Sequence, residues 1–405
     1  MVLAPWSMAV ALAVTPFYDC PPPGAASPFA LCFRARIGPL PTTLLEVALV
    51  IAIVVGLVAA GGRVPWGNPY SWPALVVITG ATLGAIFTPD HRAALGLWKA
   101  YFIEPALAGV VVAWLARMRQ NARLLLAGLA LAGAIVAVLN LAAFAIEVLR
   151  HVDVVRQPPV VLYRTPNAIP LFLVPIQAFA LSIGLFGDDR RERAIAAAFF
   201  VLATIADVTS LSRGGWLALV AALIVVGLFS PRRAWVAAGV AVLAVAALAV
   251  PGTRRRILVE FEPNSPDNSV QLRWALWRSA VNLLQHQPVF GGGLSGFQRS
   301  VRPFADPAYR EQLIDPHNLL LNWWSETGLV GLAGFVWTLI QVARTAVRGL
   351  DAGPWPRALS IGLLGLVAAV LAHGLVDVPY FKNDLAVEFW ALLGLQLGAT
   401  ARASA

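Results

Sequence analysis

Apolar runs near 20 residues long recur along the whole chain, and this pattern constrains the fold more than any other feature of the sequence. A run of roughly 20 apolar residues is the length that an α-helix needs to cross a bilayer. Hydrophobic residues make up 59% of the chain and charged residues only 13%, which excludes a soluble domain of this size. A transmembrane β-barrel would show shorter, alternating segments. The sequence therefore predicts an all-α polytopic membrane protein.

These runs predict about twelve membrane spans, in one membrane domain that covers residues 1–405. An even number of spans puts both termini on one side of the membrane. Four short arginine-rich loops, around Arg117, Arg190, Arg232 and Arg344, fall on that same side. Because basic loops stay inside, we expect both termini to be cytoplasmic. The predicted spans are 2–17, 42–60, 70–88, 97–116, 124–149, 168–187, 194–211, 214–229, 234–251, 317–343, 358–376 and 385–399.

The opposite, external side carries the long polar loop 252–316. It is rich in Arg, Pro, Gly and Asn, and it is long enough to form a structured cap. Within it, Asn268 is placed to cap a helix that begins near Val270. The cysteines of the chain, Cys20 and Cys32, lie in the first external loop. A disulfide between them is one expectation, and two free thiols are the alternative.

The chain is basic, with a net charge of +9 that comes almost entirely from arginine. A high positive charge can indicate a nucleic-acid-binding protein. Arginines between membrane spans, however, more often set topology or contact lipid and phosphate groups. We therefore expect membrane lipids, and no nucleic acid, as partners.

The stretch Gly291-Gly292-Gly293-Leu294-Ser295-Gly296 matches the G-x-G-x-x-G dinucleotide pattern by letter. A dinucleotide site needs a strand before the glycines, whereas here a helix is predicted to precede them. We interpret the stretch as a turn in which the backbone approaches another element.

Acidic residues, among them Glu46, Glu104, Glu147 and Asp207, lie within predicted spans, where charges are unfavourable and often functional. Glu147 and Asp207 lie near the external ends of their helices, at the depth of Arg213, and are predicted to pair with arginines. Glu46 and Glu104 have no assigned partner. Because the polar residues gather at the external rim, the sequence favours a site at the outer face over a pathway across the membrane.

The segment Asp315-Pro316-His317-Asn318 marks the point where the long external loop meets the next predicted span. Asp315 is an expected N-cap, and Pro316 suits the first helical turn. We therefore expect His317 in that first turn, where the helix dipole disfavours an imidazolium. A neutral histidine can accept a proton from a hydroxyl group. The alternative is a histidine that only caps the helix.

Arg213 occupies the tightest turn of the chain, within Ser212-Arg213-Gly214-Gly215-Trp216. Arginine can bind a diphosphate through two parallel hydrogen bonds. The sequence contains no Cys/His metal spacing, P-loop, H-E-x-x-H motif or external D-x-D pair. Arginines with one histidine therefore favour metal-independent transfer from a lipid-linked diphosphate, without a cofactor.

Four short motifs then occur in a particular order along residues 160–400. They are Ser212–Trp216; Arg273 with Trp277, ahead of Pro288 and Gly291-x-Gly293; His317-Asn318 with Glu326-x-Gly328-x-x-Gly331-Leu332; and His373-x-x-x-Asp377 followed by Trp390-Ala-Leu-Leu-Gly394. Together with the predicted spans and the large loop, this order resembles the O-antigen ligase and polymerase superfamily.

The resemblance implies a GT-C-like glycosyltransferase in the bacterial inner membrane, with 252–316 as a large periplasmic loop over the site. Such enzymes take a glycan from undecaprenyl diphosphate at the periplasmic face. The ligases pass it to a sugar hydroxyl of lipid A–core, in lipopolysaccharide biosynthesis, without metal or ATP.

Carried over residue by residue, the resemblance assigns three principal roles. His317 would be the base or the group that positions the acceptor, and Arg213 and Arg273 would bind the donor diphosphate. Asn318 and Glu326 match motif positions and are expected to support the site. Arg278 is expected to contact phosphate or acceptor groups, although it does not belong to any of the four motifs.

Three alternatives stay open at this point, one of them a protein O-oligosaccharyltransferase. An O-antigen or exopolysaccharide polymerase of the same family uses the same donor, with a lipid-linked glycan as acceptor. From another class, a polysaccharide or lipid transporter would show inverted repeats and charges at mid-membrane. The sequence shows neither feature clearly, which favours the enzyme over the transporter. It does not separate ligase from polymerase, and the ligase is our prediction.

Overall fold

The computed structural model describes residues 3–17, 34–37, 40–155, 158–231, 233–249, 251–262, 268–306 and 314–401. The predicted Cys20–Cys32 pairing lies outside these residues. Strands β1 (Arg34–Ile37) and β2 (Leu40–Thr43) form an antiparallel hairpin. The sequence did not predict this hairpin, because strands of four residues are too short to show a clear periodicity. Apart from the hairpin, the regular structure of the described residues is helical, which agrees with the predicted all-α class.

Helices make up the rest of the regular structure that the described residues form. A π-helical stretch, Trp98–Ile103, joins α4 to α5. The α-helices are α1 Leu3–Ala13, α2 Leu44–Ala60, α3 Ser71–Ile86, α4 His91–Leu97, α5 Glu104–Leu115, α6 Arg119–Leu149, α7 Ala168–Phe186, α8 Arg190–Thr209, α9 Arg213–Leu228, α10 Arg233–Ala249, α11 Pro251–Leu258, α12 Ser269–His286, α13 Phe297–Ser300, α14 Leu319–Arg348, α15 Pro354–Gly374 and α16 Asn383–Ala401.

Each predicted membrane span overlaps one of these helices. Five helical segments among the described residues are long and apolar enough to cross a membrane: His91–Leu115, Arg119–Leu149, Ala168–Phe186, Leu319–Asp351 and Pro354–Gly374. Helices α1, α2, α3 and α9 are apolar but shorter. The chain is therefore a helical polytopic membrane protein, whereas a crossing by all the predicted segments stays a prediction.

The glycine-rich turn packs against helices α3 and α14, as the sequence predicted for a close backbone approach. The Gly292 N–H donates to the Ser325 carbonyl at 2.8 Å, and the Leu294 N–H donates to the Gly84 carbonyl at 2.9 Å. Helix α14 is kinked at Gly328, where φ is +66°. A Cβ at Gly328 would lie 2.3 Å from the Val289 carbonyl oxygen, so the kink requires glycine.

Three acidic residues within the predicted spans form ion pairs, with a lysine or with an arginine. Lys99 lies 2.8 Å from Glu46 and 3.5 Å from Glu104, which gives Glu104 the partner that the sequence did not reveal. Glu147 pairs with Arg150 at 3.6 Å, and this confirms its predicted pairing with an arginine.

Asp207 does not follow the same prediction. It is fully buried in α8 and makes no ion pair with an arginine of the described chain. Arg213 forms an ion pair with Glu260 instead. The prediction for Asp207 was therefore wrong, because the long external loop brings the Glu260 carboxylate to Arg213 in its place.

Candidate active site

His317 lies just outside α14, with a left-handed backbone φ of +46°. The helix begins at Leu319, and the Asn318 side chain caps it by accepting from the Leu321 N–H at 3.1 Å. Asp315 accepts from the His317 N–H at 2.8 Å. The expected N-cap at Asp315 and the expected place of His317 in the first turn are therefore both wrong. Asp315 instead forms a local turn that ends before the helix begins.

Two carboxylates lie on one side of the His317 imidazole. Its Nδ1 is buried, 3.3 Å from Asp315 Oδ1 and 3.8 Å from Asp377 Oδ1. The His317 side chain as a whole is 29% exposed. Since Nδ1 is buried, the exposed part of the side chain lies elsewhere on the ring.

The charge state of this pair follows from its neighbours. Burial by itself lowers the pKa of His317, but the Asp377 and Asp315 carboxylates more than offset it, so the pKa lies above the ordinary value. Burial raises the pKa of Asp377, but His317 and Lys382 outweigh it and leave the pKa well below the usual range. The expected helix-dipole effect on His317 is wrong, because two anions lie closer than the helix start.

Asp377 is a residue to which the sequence reasoning gave no role. It follows α15, it is buried, and its Oδ2 accepts from Asn167 Nδ2 at 3.1 Å. Its Oδ1 accepts from the Val378 N–H at 2.9 Å. These two hydrogen bonds fix the carboxylate beside His317. The available signal was its place in the His373-x-x-x-Asp377 motif, one helical turn after His373.

The two predicted phosphate-binding arginines lie side by side and share one hydroxyl group. Arg213 is the first residue of α9, and its Nη2 donates to Ser269 Oγ at 3.1 Å. Arg273, on α12, donates from Nη1 to the same oxygen. Arg213 Nη1 also donates to the Arg256 carbonyl at 2.8 Å. A single residue of the external loop thus aligns both guanidinium groups.

Arg273 connects these arginines to the histidine. Its Nε donates to the carbonyl of Val376, the neighbour of Asp377, at 2.8 Å. Burial lowers the pKa of Arg273, and the Asp377 carboxylate opposes this effect. On the same helix, Trp277 Nε1 donates to the His317 carbonyl at 3.4 Å. Helix α12 thus holds the His317 backbone and one arginine in a common frame.

Glu260 is a second residue that the sequence reasoning missed. It pairs with Arg213, and its two carboxylate oxygens accept from Ser269 Oγ at 2.7 Å and from the Val270 N–H at 2.9 Å. The carboxylate therefore holds the start of α12 against Arg213. Nothing in the sequence near Glu260 signals this contact, since it depends on how the loop folds back.

Lys382 adds a further cation at the same end of the molecule. Its charge acts on both Asp377 and Asp315. It forms no ion pair within the part of the chain that the structure describes, so its ammonium is available to an anionic substrate group. The sequence reasoning gave this residue no role.

The predicted supporting residues lie around the site rather than in it. Asn318 caps α14, and Glu326 is buried beside the kink of α14, where it accepts from the Ser295 N–H of the glycine-rich turn. Arg278 lies on the exposed side of α12, and no contact joins it to His317, Arg213 or Arg273 among the described residues. Asn318 and Glu326 therefore shape the elements that carry the site.

Within the described residues, no three His, Cys, Asp or Glu side chains are grouped so that they could hold a metal ion. Metal-independence nevertheless stays a prediction from the sequence.

The fold and the site define a class: a polytopic helical membrane protein with paired arginines and a carboxylate-flanked histidine at one end of its helices. Residues 198–336 match the family model described as O-antigen ligase. This match confirms the resemblance to the O-antigen ligase and polymerase superfamily. It covers about a third of the chain and contains Arg213, Arg273 and His317. No curated protein matches the chain at a significant level.

Proposed function

We propose that this protein is an O-antigen ligase that transfers a glycan from undecaprenyl diphosphate to a sugar hydroxyl of lipid A–core. Its family supports the broader class of O-antigen ligases and polymerases. The observation that carries the proposal is the linked set of Arg213, Ser269, Arg273, Asp377 and His317. It sets a proton acceptor beside two guanidinium groups, as transfer from a lipid diphosphate requires.

The proposed reaction is an inverting displacement without metal or cofactor. The acceptor hydroxyl gives its proton to His317 Nε2 while its oxygen forms a bond to the anomeric carbon. The bond between that carbon and the diphosphate oxygen breaks, and its electron pair leaves with undecaprenyl diphosphate. Arg213 and Arg273 stabilise the charge that builds up on the leaving diphosphate. Asp377 stabilises the imidazolium that forms on His317.

The arrangement of charge supports a site at the periplasmic face of the bacterial inner membrane. Helix α15 ends at Gly374, beside the His317 site. Near its start, Trp355 packs under the Arg119 guanidinium at 4.7 Å, among the arginine-rich loops. The basic loops and the site thus lie at opposite ends of one helix. Since basic loops face the cytoplasm, this proposal puts His317 and the 252–316 loop in the periplasm, and both termini in the cytoplasm.

The same proposal treats residues 1–405 as a single GT-C-like glycosyltransferase domain, with 252–316 as its cap. The contacts of α12 with Arg213 and with the carbonyls of Val376 and His317 support this view, because they tie the cap to helices α9, α14 and α15.

A transfer assay in detergent tests the proposed function. The purified protein is given an undecaprenyl-diphosphate glycan, with lipid A–core present or absent, and with EDTA throughout. Product that forms only with lipid A–core supports the metal-independent ligase. Lengthening of the lipid-linked glycan without lipid A–core would instead make the protein a polymerase. If no product formed with EDTA, and added Mg²⁺ restored product formation, metal-independence would be contradicted.

A further inference from the structure

A second candidate site lies far from His317, between α6, α7, α8 and the start of α15. It is a cavity of about 390 Å³, which is within the range of roughly 300–1,000 Å³ that ligand pockets occupy. Its inner wall is apolar and includes Ile176, Phe179 and Phe199. Trp355 also lines it, at the start of α15, so about 29 Å of helix separates it from the end of α15 near His317. The cavity is therefore distinct from the proposed active site.

The mouth of the cavity carries charges of both signs. Arg123 pairs there with Glu192 and, at 3.7 Å, with Asp189. Arg191 is exposed and forms no ion pair with any described residue. Asp189 is partly exposed: its Oδ1 caps α8 by accepting from the Arg191 and Glu192 N–H groups, whereas its Oδ2 lies 3.7 Å from Arg123 and is held only loosely. A ligand that carries both a negative and a positive group would therefore find a partner for each.

Trp355 supplies an independent sign of a ligand. Its side chain is only 6% exposed, and its indole Nε1 has no hydrogen-bond acceptor among the described residues. A buried N–H group without an acceptor is unfavourable and is uncommon in folded proteins. A phosphate or ester carbonyl oxygen at the mouth of the cavity would satisfy it.

We propose that this cavity binds a phospholipid with a phosphoethanolamine headgroup. An acyl chain fills the apolar space between α6, α7 and α8, the phosphate meets Arg191 and the Trp355 indole N–H, and the ammonium meets Asp189 Oδ2. Glu192 is already paired with Arg119 and Arg123. A purely anionic headgroup would face Asp189 without an ammonium group to meet it. A choline headgroup carries no N–H to donate to it.

Native mass spectrometry of the delipidated protein in detergent tests this site. The probes are dioleoyl phosphatidylethanolamine, phosphatidylglycerol and phosphatidylcholine. We expect one phosphatidylethanolamine to bind about tenfold more tightly than either other lipid. Equal retention of all three lipids would overturn the proposal.

Two pairs of variants locate the binding. Ala196→Phe fills the cavity and should abolish the preference for phosphatidylethanolamine, whereas Ala198→Phe, on an exposed position of the same helix, should leave it unchanged. Arg191→Gln should reduce the affinity about tenfold, and Arg190→Gln, which does not line the cavity, should not. Arg191 and Arg190 are both exposed, so their variants still test the proposal if Ala196→Phe does not fold. Wild-type binding by both Ala196→Phe and Arg191→Gln would contradict the site.

Discussion

The two ends of the helices use arginine in different ways. At the His317 end, Arg213 is 26% exposed and is held by a backbone carbonyl, a serine hydroxyl and one carboxylate. At the other end, Arg123 is 42% exposed and pairs with Asp189 and Glu192 at the start of α8. Both arginines therefore meet carboxylates, but Arg213 is also held by backbone and hydroxyl partners and is the less exposed of the two. The comparison shows that partners and burial, rather than residue type, separate the two arginine environments.

The largest expected effect comes from His317→Ala, which removes the proposed base at the site end. We expect the initial rate of glycan transfer to fall by about 10²–10⁴-fold. His286→Ala is the matched control, because His286 lies on α12, where its Nδ1 contacts the Asn282 carbonyl of its own helix and its ring packs against Phe304 rather than against the site. Near wild-type transfer by His317→Ala would remove the base assignment.

A charge-conserving substitution sharpens the comparison between the two ends. Arg213→Lys and Arg273→Lys keep the positive charge but lose the planar, two-pronged donor geometry. We expect kcat/KM for the lipid-diphosphate donor to fall about 10–100-fold in each. Arg348→Lys, an exposed position at the other end of α14, should change it less than twofold. Equal behaviour of the site-end and control variants would contradict the diphosphate role.

Asp377→Asn tests how the carboxylate tunes the histidine. Transfer requires neutral His317, so the rate should rise with pH through a pKa that lies above the ordinary histidine value. Removal of the Asp377 charge lowers this pKa, so the rising limb should move to lower pH. The maximal rate should fall about tenfold, because the imidazolium loses its counter-charge. The pH dependence of kcat/KM measures both effects.

An unchanged pH profile in Asp377→Asn would contradict this pairing. Asn167→Ala gives a milder version of the same test, because it removes only the hydrogen bond to Asp377 Oδ2. It should lower the rate less than Asp377→Asn does, with a smaller shift of the profile.

The smallest effect is expected for Lys382→Gln. Its ammonium has no ion-pair partner among the described residues, so we expect it to attract the donor diphosphate weakly. The donor KM should rise about three- to fivefold, with kcat little changed. Lys382→Arg should restore most of the affinity, whereas a fall in kcat alone in both variants would argue for a structural role.

The sequence by itself determined the membrane class and selected the principal candidate site residues. The length and hydropathy of a run are local properties, so the apolar segments predicted the helices to within a few residues. The order of short motifs selected Arg213, Arg273 and His317, and the structure brings all three to one end of the helices. Asn268 also caps α12 as predicted, because capping depends only on the residues next to the helix start.

Only the tertiary structure decided the electrostatics. It joined the two arginines through Ser269 and gave Arg213 the partner Glu260 rather than Asp207. It also put Asp377 beside His317, which raises the pKa of a histidine that the sequence predicted to be held neutral by a helix dipole. The physical reason is distance: an ion pair or a pKa depends on separations of a few ångströms between groups that lie far apart along the chain.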